Sequence, residues 1–378
     1  MPTRSMAKRV TLKQVAESAG VSISAASTVL SALTNGISIP AVTQERIREA
    51  ARTMGYEPRP PRADAGNVAF PERPTRTKLL HIGIITYFGA MYSKPQSDPN
   101  PWSHDIETAL EAEIAWSGQA RATFYNRNRT DGPQIEVVDA GRDLVRKGVD
   151  ALVLIDQRPA TNVEQYALDL ETLGLPVVTI CTSPLSVPAS HVCYDNQVAG
   201  FMAAAHLFSL GHREITFLSP VSVDWSDSRI KGARDAARHY GFGEDVIRVF
   251  PQFRRPLEFG SSENPAPLAY DEALHAATAM LDANEAACAV IAANDCVALA
   301  FLDAVAERSN APGEFAVIGF DDIPEARHRG LTTLSAPREA MGREAASLIL
   351  LLCQDPKARK QICLQSNLIV RSSTVVYD

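Results

Sequence analysis

"TLKQVAESAGVSISAASTVLSAL", residues 11–33, is a run of small side chains arranged around one glycine. Thr11 and Gln14 stand at capping-box spacing, in which the hydroxyl takes an orphan amide of the first turn and the glutamine returns to the cap amide. This spacing predicts a helix to about Ala19, with Val15, Ala16 and Ala19 on one face. Gly20 supplies the backbone freedom for a tight turn, Val21 buries in it, and Ser22 caps a second helix from Ile23 to about Ser31. Ala26, Val29 and Leu30 then face the first helix, which leaves Ile23, Ser24, Ala25 and Thr28 outward. A third helix is predicted over 40–54, with Ile47, Ala50, Ala51 and Met54 on its apolar side and Gly55 after it. The pattern is a helix-turn-helix, and outward hydroxyls and methyls suit a helix laid in the major groove of DNA. A plain helical hairpin with no role on DNA has the same spacing. The expected DNA contacts are Thr11, Ser22, Ile23, Ser24, Ala25 and Thr28.

Working outward, charge separates this head from the rest. Residues 1–62 carry nine Lys/Arg against four acids, a net of +5, while the whole 378-residue chain is −7, so the remainder holds −12. A basic head on an acidic body fits one module that meets phosphates and another that does not. A solvated helical surface explains the same charges. The six cysteines (181, 193, 288, 296, 353 and 363) show no C-x-x-C and no His pairing at metal spacing, so reduced core thiols and no metal are expected. No apolar run approaches the ~20 residues of a membrane span, and "MPTRSMAKRV" lacks an apolar signal core, so the expectation is a cytoplasmic protein.

Five prolines (58, 60, 61, 71 and 74) and Gly66 lie between Tyr56 and Lys78, and no long helix crosses such a stretch. The expected domains are therefore 1–57, a linker over 58–78, and a body over 79–378. In the body, short apolar runs alternate with amphipathic helices: "LLHIGIIT", helix 103–117, "ARATFYN", helix 134–147, "DALVLID", helix 162–173 and "PVVTIC". A second set follows: "HVCYD", helix 197–210, "EITFLSP", helix 228–240, "DVIRVF", helix 270–282, "CAVIAAN", helix 296–309 and "FAVIGFDD". Regular strand–helix alternation implies parallel sheets covered on both faces, and a body of this length exceeds one such core, so two similar lobes are expected.

Both regions resemble the LacI/GalR transcription regulators. The head does so through "VTLKQVAESAGVSISAASTVL" followed by "TQERIREAARTMGYEP". The body does so through "NPW" (100–102), "YDN" (194–196), "LGHREITFL" (210–218), R-I-K-G (229–232), "AANDCVAL" (292–299), "VIGFDDIP" (317–324), "LTTL" (331–334) and "LIVRSST" (368–374). The resemblance implies an α/β body, two-lobed and periplasmic-binding-protein-like with parallel sheets, behind a small all-α helix-turn-helix N-terminal domain. It departs from the family at Ala25-Ala26-Ser27-Thr28, where Thr-Val-Ser-Arg is usual, and in lacking the hinge motif Ala-Arg-x-Leu. Within 62–70 only Val68 or Phe70 offers an apolar wedge for a minor groove, and an extended tether is the favoured reading.

Ligands of open α/β sheets sit beyond the carboxyl ends of strands. That rule selects Tyr87, Cys181, Asp195, Asn294 and Asp321, with Arg229 near the start of its helix. By resemblance, Arg229, Asn294 and Asp321 match positions that hold an effector's polar groups, and Tyr87 matches a contact on the first strand. A guanidinium fork, an amide and a carboxylate together suit a polyol or sugar derivative. Trp102 and Trp225 offer indoles for a sugar's apolar face, although large aromatics are more often core. Asp195 also fits a simple helix cap, and Asp321 a turn. The insertion "GAMYSKPQSDP" (89–99) falls at the same mouth.

The function expected is a ligand-responsive, sequence-specific DNA-binding regulator, a homodimeric repressor of carbohydrate-related genes without cofactor; the strand-like pattern running to the end of the sequence leaves no heptads for a tetramer. A solute-binding sensor with altered DNA binding is the second reading. An enzyme is disfavoured, since there is no G-x-G-x-x-G, G-x-x-x-x-G-K-[ST] or G-x-S-x-G.

Overall fold

Strand-forming and helix-forming stretches alternate in the computed structural model as their patterning predicts, and the strands collect into two six-stranded sheets. The structure describes residues 10–21, 26, 29–30, 40–54, 56, 79–86, 101–126, 135–158, 160–256, 270–283, 287–308 and 315–374. Contacts divide the chain into residues 1–76 and residues 77–378.

In the N-terminal unit the helix Leu12–Ser18 starts with the expected capping box: Gln14 N–H donates to Thr11 Oγ1 at 3.4 Å, and Thr11 N–H donates to Gln14 Oε1 at 2.9 Å. Gly20 takes φ +62°, the left-handed conformation that lets the chain reverse at little cost. Positions 26, 29 and 30 are helical, and Ala26 is buried with Ala16, Ala19 and Ile47, against which Val21, Val29, Leu30 and Ala50 pack. The helix Ala41–Thr53 contributes Ile47 to that core and exposes Arg48 and Arg52, which pair with Glu45 and Glu49 on its own surface.

The first sheet of the body runs β13-β5-β4-β3-β1-β2, with β1 Leu80–Thr86, β2 Ala120–Asn126, β3 Ala151–Ile155, β4 Val177–Ile180, β5 His191–Tyr194 and β13 Gln361–Leu364. The second runs β14-β12-β11-β10-β6-β8, with β6 Ile215–Leu218, β8 Ile247–Phe250, β10 Ala289–Ala292, β11 Ala316–Phe320, β12 Thr332–Ser335 and β14 Asn367–Ile369. A two-stranded sheet joins β7 Val221–Ser222 to β9 Arg255–Pro256. Strands buried on both faces, such as Ala151–Ile155 and Ala289–Ala292, are continuous apolar runs because helices cover both sides.

Two features differ from the sequence reading. The sheets are not wholly parallel, since β12 pairs antiparallel with β14. The chain also returns after its second lobe: helix Arg338–Gln354 and β13 rejoin the first lobe, where Met341, Ala345 and Ile349 share a core with Ile106, Leu110 and Ile114 of helix Pro101–Ser117. The polypeptide therefore crosses between lobes three times, at 194–196, 335–338 and 364–367. The thiols need correcting as well: Cys288 and Cys363 are exposed rather than core, Cys353 is half-buried, and all six cysteines are free. Among the described residues no helix is long and apolar enough to cross a membrane, and no cluster of metal-ligating groups occurs.

Candidate functional site

Arg229 is the centre of the strand-end region. It lies on helix Asp224–His239, which crosses helix Asn196–Ser209 so closely that a Cβ on Gly200 would stand 2.0 Å from Arg229 O, and one on Gly232 would stand 1.8 Å from Gln197 O. Only glycine permits that approach, and the approach aims the guanidinium at the sheet ends. Arg229 is 2% exposed. Its Nε–H donates to Asn196 Oδ1 at 2.8 Å, its Nη1 to Ala293 O at 2.6 Å and its Nη2 to the Tyr194 hydroxyl at 3.2 Å, with Asp321 Oδ1 at 3.9 Å from Nη2. The rings of Phe320 and Trp225 lie 4.2 and 4.9 Å from the guanidinium carbon, within cation–π reach. Burial pushes the Tyr194 hydroxyl up to about 12, against the pull of the Arg229 charge, so it stays a neutral donor and acceptor.

Around it the second lobe is tightly wired. Asn294 follows β10 and caps helix Asp295–Arg308 by accepting from Val297 N–H at 2.9 Å. Asp295 is fully buried, accepts from the Thr333 hydroxyl at 2.7 Å and from Ile323 N–H at 3.0 Å, and so ties the β10 end to β12 and to the chain beyond β11. Burial, helped by the Asp321 charge, holds its carboxyl well above the usual range. Asp321 and Asp322 take φ 112° and 52°, conformations costly for residues with a Cβ. The surroundings secure them: Arg338 donates to Asp321 O, and the Asp322 carboxylate binds Arg327 and Arg371.

The first-lobe rim is built from the last residue of β1 and residues just past β3 and β4, whose ends register places side by side: Thr86 pairs with Ile155, and Ile155 with Ile180. Asp156 and Arg158 form a buried chelate, and the Arg158 guanidinium lies 4.3 Å from the Tyr166 ring centre and donates to its hydroxyl at 3.0 Å. Ala160 N–H donates across to Asp224 Oδ2 at 3.2 Å, and Asn196 Nδ2 donates to Thr182 O at 2.6 Å, so the two rims touch. Six polar atoms at this junction have no protein hydrogen-bond partner among the described residues: Thr86 Oγ1, Gln157 Nε2, Thr182 Oγ1, Ser183 Oγ, Asp224 Oδ1 and Trp225 Nε1.

Arg229, Asn294, Asp321 and Trp225, expected from sequence, are thus brought to one place. Asp195 caps helix Asn196–Ser209 by accepting from Val198 N–H at 2.9 Å, as its alternative reading anticipates. Trp102 packs in the first-lobe core with Ile106 and Leu110. Cys181 turns away from the strand-end junction into a satellite core with Val163, Ala167 and Leu185, where its thiol donates to Ser183 O at 3.1 Å and burial pushes its pKa up. Thr11 is occupied as a cap. Tyr87, Ser22, Ile23, Ser24, Ala25, Thr28, the insertion 89–99 and the linker with Val68 and Phe70 lie outside the described residues. Sequence reasoning missed Thr86, Gln157, Thr182, Ser183 and Asp224. The polar triplets "DQR" after β3 and "CTS" after β4, abrupt after buried apolar runs, are the signal that marks Gln157, Thr182 and Ser183.

The periplasmic binding protein-like domain family matches residues 204–374. The HTH-type transcriptional regulator CelR of Thermobifida fusca is 26% identical over 375 residues, covering 97% of this chain and 98% of that protein. The chain is thus similar along nearly its whole length to HTH-type transcriptional regulators. The fold of this chain is shared by a solved CelR–cellobiose complex, at TM-score 0.59 and 24% identity over 97% of this chain and all of that one. It is shared too by a lac repressor dimer bound to operator and an anti-inducer, at TM-score 0.61 and 20% identity over 98% of this chain and all of that one.

Proposed function

We propose that this chain is a carbohydrate-responsive repressor in which an effector held between the two rims alters how paired heads grip operator DNA. The observation that carries the reading is the Arg229 knot, which ties Tyr194 of the first sheet to Ala293 and Asp321 of the second. A ligand that exchanges contacts with these groups changes the balance between lobe arrangements, and a difference of affinity between two arrangements is what effector control requires. Cellobiose in the CelR structure and operator in the lac repressor dimer support a sugar effector and a dimer for this chain.

In this reading residues 1–57 bind DNA, 58–78 link, and 79–378 bind effector and dimerise. Thr11, Ser22, Ile23, Ser24, Ala25 and Thr28 meet the operator. Tyr87, Trp225, Arg229, Asn294 and Asp321 meet the effector, while Trp102, Cys181 and Asp195 shape the lobes. The protein works in the cytoplasm and performs no reaction. Fluorescence anisotropy on a labelled duplex from the gene's own upstream region tests it. Salt-sensitive binding that changes at least tenfold with a carbohydrate found by thermal-shift screening is expected. Equal affinity for a scrambled duplex overturns it.

A further inference from the structure

We infer that the inter-lobe site selects an uncharged, polyhydroxylated ligand and rejects its carboxylate or phosphate counterparts. The inference rests on the site being the effector site and concerns the charge of the occupant.

Every guanidinium at the junction already faces protein acceptors. Arg229 directs Nε, Nη1 and Nη2 to Asn196, Ala293 and Tyr194; Arg158 is chelated by Asp156 and donates to Tyr166; Arg338 donates to Asp105 and to Asp321 O. Two helix N-termini, the other usual seats for anions, are likewise capped by this chain's own side chains, and a third carries carboxylates in its first turn. Asp195 caps helix Asn196–Ser209, Asn294 caps helix Asp295–Arg308, and Asp224 and Asp227 sit in the first turn of helix Asp224–His239. Arg158, Arg229 and Arg338 each stand against an aspartate (Asp156, Asp321 and Asp105), while Asp224 has no cationic partner among the described residues, so an incoming anion meets an uncompensated carboxylate there.

The groups left over describe what fits. Thr86, Gln157, Thr182, Ser183 and Trp225 are each at least nine-tenths buried with a polar atom lacking a protein partner, and Asp224 Oδ1 joins them. Buried polar atoms rarely stay unmatched, because each such atom costs about 1–3 kcal/mol. Here there are donors on the Gln157 amide and the Trp225 indole, an acceptor on Asp224, and hydroxyls able to play either part. A ligand hydroxyl donates and accepts at once and satisfies all three kinds. A ligand carboxylate only accepts, and against Asp224 it places two acceptors and two like charges together.

Calorimetry on the full-length protein with matched pairs tests the inference: glucose against glucuronate and glucose 6-phosphate, and cellobiose against cellobionate. The neutral member of a pair is expected to bind at least tenfold more tightly, and Asp224→Asn is expected to weaken it about tenfold and to narrow the ratio. An anionic member that binds more tightly, no binding by any pair at millimolar concentration, or an unchanged ratio in Asp224→Asn overturns it. Neutral binding without any change in DNA affinity leaves the charge inference standing and instead overturns the effector-controlled repressor reading.

Discussion

The two rims that meet at Arg229 are made differently. On the second-lobe side Asn294, Asp295, Asp321 and Asp322 are locked by named partners, even through two left-handed backbone positions. On the first-lobe side Thr86, Gln157, Thr182 and Ser183 keep a polar atom without a protein partner. The contrast teaches a division of labour: one rim is preorganised and holds the geometry, while in the proposed reading the other, together with Asp224 and Trp225, is completed by what binds. Substitutions in the first rim, and at Asp224 and Trp225, should therefore be read in affinity, and those at Asn294, Asp295, Asp321 and Asp322 in stability.

The largest effect is expected from Gly232→Ala. Its Cβ would meet the backbone of Gln197 rather than a movable side chain, so the helix pair must separate and carry Arg229 with it. A loss of about 3 kcal/mol in denaturant unfolding is expected; wild-type stability would show that the helix crossing does not set the second rim. Next comes Asp295→Ala, which strips acceptors from the Thr333 hydroxyl and Ile323 N–H and should cost about 2 kcal/mol. If calorimetry found sugar affinity lost while the melting temperature stood still, the division between rims would be wrong. The smallest effect belongs to Thr182→Val. Removing a buried hydroxyl without a protein partner should leave stability unchanged or raised by about 0.5 kcal/mol and weaken a bound sugar by roughly 1 kcal/mol. A clear drop in stability with affinity intact would sink the first-rim half of the comparison.

How much of this was legible in the sequence depends on what kind of contact decides each feature. Local contacts were readable: the Thr11–Gln14 cap, the Gly20 turn, and helix 270–282 are where spacing puts them. The return of residues 338–364 to the first sheet was not, because pairing β13 with β5 is a long-range choice that periodicity does not encode. At the site, the strand-end rule found Asn294 and Asp321 but failed at Cys181. The rule marks where a strand stops and says nothing of the face on which the last side chain falls. Cys181 enters a satellite core with Val163 and Ala167, and the hydroxyls without a protein partner come beyond the strand, at Thr182 and Ser183, where the alternation of the strand no longer applies.

The three crossings between lobes have a consequence for the order in which the protein is born. When the ribosome has delivered residue 194, five strands of the first sheet exist, but helix Arg338–Gln354, which covers one face, and the edge strand β13 are still untranslated. At ~5–20 residues per second, the wait until residue 364 is on the order of ten seconds or more. Through that interval Ile82, Ile84, Val153 and Val178, which later share a core with Met341 and Ile349, lack their cover. The second lobe, contiguous from residue 196 to residue 335 apart from β14, can close first. Nascent chains stalled at residue 335 should therefore engage chaperones through the lobe that was made earlier, an inversion of the usual N-terminal-first sequence.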